Sequence, residues 1–85
     1  MEVTKGLVVL SKAGRDKGKF LAVVGCDGRF CSLADGKERP LERPKRKELR
    51  HIASTGTVLQ PGSMETNRQL RRALAGLQNS GQENP

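Results

Sequence analysis

Tryptophan and tyrosine are absent from this 85-residue chain, phenylalanine occurs only at positions 20 and 30, and histidine only at position 51. Modules that read single-stranded nucleic acid by stacking several bases on aromatic platforms need more rings than this. Grooves that hold proline-rich peptides between several rings are disfavoured for the same reason. One histidine, no glycine-rich phosphate loop of nucleotidase type and no recognisable acid and base pair argue against an enzyme. Cys26 and Cys31 are the only cysteines, and with His51 they fall one short of a four-ligand structural zinc site, so neither metal nor cofactor is expected. If Asp27-Gly28 forms a two-residue hairpin turn, Cys26 faces Arg29 and lies diagonal to Cys31, which is poor disulfide geometry. Reduced, packed thiols are therefore expected. No apolar run approaches the roughly 18 residues of a membrane span, and Met1-Glu2 opens no basic and apolar leader, so the reading is a cytoplasmic protein with no membrane partner.

Positive charge is what the chain has in excess. Sixteen Lys and Arg stand against nine Asp and Glu, a net charge of +7, the electrostatic footprint of a partner rich in phosphate. At this length the chain forms one small domain that buries only about 60% of its unfolded surface, which leaves no room for a deep catalytic cavity.

Apolar runs at Leu7–Leu10, Phe20–Gly25 and Phe30–Ala34 have strand length and are separated by a glycine loop and by Asp27-Gly28. Asp35-Gly36 marks another turn. From Lys37 to Arg50 the chain is charged, and Pro40 and Pro44 remove backbone donors, so an irregular surface loop is expected there. Apolar character returns at Ile52-Ala53 and at Val58-Leu59, with Gly56 between, as two short closing strands that complete a five-stranded barrel. Pro61-Gly62-Ser63 ends the sheet. Thr66-Asn67-Arg68-Gln69 fits a capping box, followed by an amphipathic helix of about three turns with Leu70, Leu74 and Leu77 on one side and Arg68, Arg71 and Arg72 on another. The organisation is thus a barrel over 1–62 with a basic loop at 37–50, a helix over 63–78, and a mobile tail at 79–85 with nothing to bury.

Two segments carry the chemistry. The loop from Lys12 to Lys19 holds Lys12, Arg15, Lys17 and Lys19 against Asp16 alone, while Gly14 and Gly18 let the backbone approach a phosphate closely. The segment 37–50 holds seven cations and three glutamates, with Arg43, Lys45, Arg46, Lys47 and Arg50 concentrated toward its end. His51 follows and can stack on a base or donate to a phosphate. Both phenylalanines lie in strand runs, where core packing is the expectation. The expected target is structured RNA read through phosphates and shape, with Arg68, Arg71 and Arg72 as secondary contacts.

Gly6, Val8, Gly14, Gly18, Lys19 and the run Ala22-Val23-Val24 resemble the KOW motif, the strand, glycine loop and strand of ribosomal proteins and transcription elongation factors. The likeness continues through Leu33-Ala34-Asp35-Gly36, Arg39 and the basic run from Arg43 to Arg50. Over residues 3 to 60 it resembles the large-subunit ribosomal family L-fourteen-e and its small bacterial relatives. That resemblance implies an all-β, SH3-like barrel and RNA binding, with Gly14, Gly18 and Lys19 at the matching positions. It also implies ribosomal RNA and large-subunit proteins as partners of a chain that is monomeric when free. The longer helical extension of the ribosomal relatives has no counterpart here, which leaves an accessory translation or transcription factor, or an SH3-like protein-interaction module, as the alternative.

Overall fold

The computed structural model describes residues 3–82, with side chains as far as Leu77. Five strands, β1 (Leu7–Ser11), β2 (Phe20–Asp27), β3 (Phe30–Ala34), β4 (Lys45–Glu48) and β5 (Ile52–Val58), form one antiparallel sheet in the order β4-β3-β2-β1-β5. Helix α1 (Asn67–Gln82) follows a 3-10 turn at Pro61–Ser63. No described helix is long and apolar enough to cross a membrane.

The apolar runs are continuous rather than alternating because both faces of the central strands are covered. Leu7, Val9, Leu21, Val23, Leu33 and Ile52 point into one buried cluster, the interior of the curled sheet. Their neighbours Val8, Ala22 and Ala34 point the other way, against Met64, Leu70 and Leu74, with Phe20 packed alongside. The capping box forms as the sequence predicts: the Gln69 N–H donates to Thr66 Oγ1 at 3.1 Å, and the Thr66 N–H donates to Gln69 Oε1 at 3.1 Å.

Connectivity forces the sheet to curl. In a flat sheet β4 and β5 would lie at opposite edges, about 19 Å apart at the usual strand spacing. Glu48 pairs with Phe30 at one end of the strands, and Ile52 pairs with Ser11 at the other. Yet only the 3-10 turn Leu49–His51 joins them, and such a turn advances about 2 Å per residue. The edges must therefore swing round toward each other. Register shifts supply the bends, with an extra residue between Val23 and Gly25 in β2 and extra residues between Ser54 and Val58 in β5, opposite Leu7 to Val9. The turn is tied at both sides, by Leu49 N–H to Arg29 O at 2.8 Å and by Lys12 N–H to His51 O at 2.8 Å.

Several expectations are corrected. The basic segment is not irregular throughout, since Lys45–Glu48 is a strand paired with β3; inter-strand hydrogen bonds and the fixed turn into β5 outweigh its lack of apolar residues. The two closing strands are a single strand, with Gly56 inside it at φ +81°. The β2–β3 turn is Gly28-Arg29, because Asp27 pairs with Phe30. That shift sets Cys26 directly opposite Cys31, Cα to Cα 4.2 Å, and the two are joined in a disulfide. Finally, α1 runs on to Gln82 rather than stopping at Gln78, as Asn, Ser and Gly only weakly oppose an established helix; the rest of the expected tail, 83–85, lies outside the described residues.

Gly36 joins the sheet to the helix. It is buried at φ +80°, and a Cβ there would stand 2.2 Å from Asn67 O and 3.0 Å from Arg71 N. Gly18, at φ +87°, has nothing within 4 Å of such a Cβ. Gly36→Ala is expected to cost more than about 2 kcal/mol, whereas Gly18→Ala should cost only the roughly 1 kcal/mol of left-handed backbone strain. Denaturant melts of both variants check this; equal losses would show that the close approach of Gly36 to the helix carries no energy.

Candidate nucleic-acid interface

The hairpin loop between β1 and β2 is built as a compact turn. Ser11 is buried and its hydroxyl donates to Ala13 O at 3.1 Å. Gly18 N–H donates to Ser11 O at 2.9 Å, and Lys17 N–H donates to Gly14 O at 3.2 Å. Its one acidic residue points inward: Asp16 is 4% exposed and accepts from Arg39 Nε at 3.4 Å and Nη2 at 3.1 Å. Lys47 of β4, itself only 8% exposed, brings its Nζ to 4.0 Å from the same carboxylate. Three segments distant in sequence thus meet on one buried anion. Burial pushes the Asp16 carboxyl up, but the Arg39 hydrogen bond and the charges of Arg39, Lys47 and Lys19 outweigh it and hold the group below the usual carboxylate range.

This meeting brings the two basic segments side by side. The Gly14 Cα lies close enough to Lys47 that a Cβ would sit 3.4 Å from Nζ. Between them opens a shallow groove of about 310 Å³, lined by Ala13 and Gly14 from the loop, by Phe30 of β3, by Lys45, Arg46, Lys47 and Glu48 of β4, and by His51. Closure of the sheet creates it, because the hairpin loop and the Phe30 end of β3 belong to opposite ends of the strands.

The residues proposed from sequence sort by what they touch. Lys12, Arg15, Lys17 and Lys45 are exposed and carry no ion pair among the described residues. Arg43 is exposed in the turn closed by its N–H to Pro40 O at 2.9 Å, away from the groove lining. Lys19 is paired with Glu38, whose hydrogen bond holds the ammonium above its ordinary value and Glu38 below its own. Arg50 pairs with Glu48 at 3.5 Å. Arg68, Arg71 and Arg72 are exposed on α1, and none lines the groove. Lys47 points inward, so it supports the surface rather than forming it.

Sequence reasoning missed three participants. Arg39 entered the sequence reading as a position of the family resemblance and as one cation among seven in its segment, not as a partner of Asp16. Asp16 read as a charge diluting the loop, although a single acid inside a basic loop is the signal of an internal counter-ion. Phe30, expected in the core, packs in neither buried cluster; it stands on the sheet's outer face with the Arg46 guanidinium 4.5 Å from its ring centre.

No protein-family model matches the chain, and no curated protein matches it.

Removing the Asp16 charge tests this arrangement. Asp16→Asn leaves Arg39 and the buried Lys47 without their anion and should cost roughly 2–3 kcal/mol at pH 7. Because the folded carboxyl titrates below its unfolded value near 3.9, the wild-type contribution is complete above that value and is lost as pH falls through the folded one. Denaturant melts at a series of pH values from 7 downward should show the difference between the two proteins largest at pH 7 and shrinking as the pH falls below the ordinary carboxylate range. A constant difference would contradict the ionic account.

Proposed function

We propose that this is a non-catalytic RNA-binding protein of KOW type, with an SH3-like barrel, that contacts structured RNA through phosphates as a ribosomal or ribosome-associated cytoplasmic factor. The observation that carries the reading is the meeting of the two basic segments, distant in sequence, along one groove. Lys45 lines the groove, and Lys12, Arg15 and Lys17 are exposed on the loop that supplies Ala13 and Gly14 to its other side, where they can neutralise phosphates of a strand that runs past it. The exposed glycine turn at Gly14 and Gly18 lets a backbone approach without steric hindrance. The SH3-like assignment is supported by the strand order and by the 3-10 turn that links the fourth and fifth strands. Lys19 and Arg50 are held only by exposed ion pairs, weak interactions that a phosphate can replace.

A protein-docking role has one observation in its favour, an apolar notch of about 440 Å³ lined by Lys5, Val58, Leu59, Pro61, Met64 and Glu65, in which Val58 is 55% exposed. It carries no concentration of charge and lies on residues apart from the groove, so a protein partner there and RNA in the groove are compatible.

Binding to an RNA hairpin should weaken linearly in log affinity against log salt, by about 0.7 to 0.9 per phosphate engaged. Reversal of Lys12, Arg15 and Lys17 to Glu, or of Arg43 and Lys45 to Glu, should each lower affinity at least tenfold and flatten the slope by about one for each phosphate no longer engaged. Reversal of Arg68, Arg71 and Arg72 should have a smaller effect. A flat salt profile, or a loss confined to the helix variant, would contradict the proposal.

A further inference from the structure

We infer that the exposed face of the Arg46 guanidinium is a stacking site for one unpaired nucleobase, an inference that rests on the RNA-binding reading and adds to it an interaction that phosphates alone do not make. Arg46 is unlike the other cations of the groove. Its register position opposite Ser32 sets it diagonally beside Phe30 on the sheet's outer face, within reach of a long side chain. One face of its guanidinium covers the Phe30 ring at 4.5 Å from the centroid. Its Nη2 lies 3.5 Å from Asp27 Oδ2, on the strand beyond. The guanidinium thus has an aromatic ring against it that no other cation of the groove has, while its ion pair is an exposed one.

The side chain remains 63% exposed and lines the groove, so a planar, delocalised cation is open to a ligand there. That is a surface on which a base can lie flat. Phe30 acts as a positioning residue, because its ring lies beneath the guanidinium carbon. The groove is small, about 310 Å³, near the lower bound of about 300 Å³ for small-molecule sites. It therefore takes a single base and not a run of them. His51 lines the same groove and Gly14 contributes no side chain to obstruct entry. Lys45 lines the groove beside Arg46 and can meet a phosphate that flanks the base.

The test uses the full chain and two RNA hairpins of identical sequence, one with a single bulged adenosine and one with an abasic ribose at the bulge. Both carry the same phosphates. The adenosine hairpin should bind roughly tenfold more tightly, in line with base stacking on protein planes, and the salt slopes should be equal. Arg46→Lys, which keeps the charge but loses the plane, should abolish the difference between the two hairpins. Phe30→Leu should narrow the difference in the same direction; Arg46→Lys, at an exposed site, keeps the test decisive if the leucine variant fails to fold. Equal binding of the two hairpins, or a difference that survives in Arg46→Lys, overturns the stacking site and leaves the phosphate reading intact. Failure of both hairpins to bind overturns the RNA reading itself.

Discussion

Three residues between the fourth and fifth strands impose the shape on which everything else depends. Leu49, Arg50 and His51 must connect strands at opposite edges of the sheet and at opposite ends of their neighbours, and a 3-10 turn reaches only a fraction of the distance a flat sheet would require. The sheet curls, its inner face becomes one apolar cluster and its outer face is left for α1. The same curl carries the hairpin loop of β1 and β2 against β4. Once there, the loop is held by a charge: Asp16 is buried where Arg39 and Lys47 can reach it. Packing creates the juxtaposition and an ion cluster fixes its geometry.

That arrangement divides the cations by role. Arg39 is half-buried and Lys47 buried, and without Asp16 Lys47 would be a buried charge that had lost its anion, a costly state. Lys19, Arg46 and Arg50 are paired on the surface, where such interactions are weak and exchangeable. Lys12, Arg15, Lys17 and Lys45 carry no ion pair among the described residues. A net charge of +7 therefore does not by itself say which groups can meet a phosphate.

Much of the fold was legible because the core strands carry unbroken apolar runs bounded by glycine turns, and the helix announces itself through Thr66 and Gln69. Phe30–Ala34 was placed to the residue. β4 was not legible: Lys45-Arg46-Lys47-Glu48 has no apolar residue, and its strand character comes from hydrogen bonding to β3 and from the short turn that follows, neither of which is local. The disulfide was missed through a one-residue misplacement of the turn after Asp27, which changes the partner of every residue beyond it. The basic site residues were legible as charge, but whether Lys47 faces water or Asp16 depends on a pairing register that charge patterning does not encode.

The central claim is that the hairpin loop and β4 form a single binding surface. Its most direct test is an NMR titration of the isotopically labelled chain with an RNA hairpin, following backbone amides of residues 12–19 and 45–51 together. The account predicts that both sets shift along one common isotherm with one dissociation constant, while amides lining the Val58 notch stay fixed. Movement of only one set, or two isotherms with different constants, would contradict it.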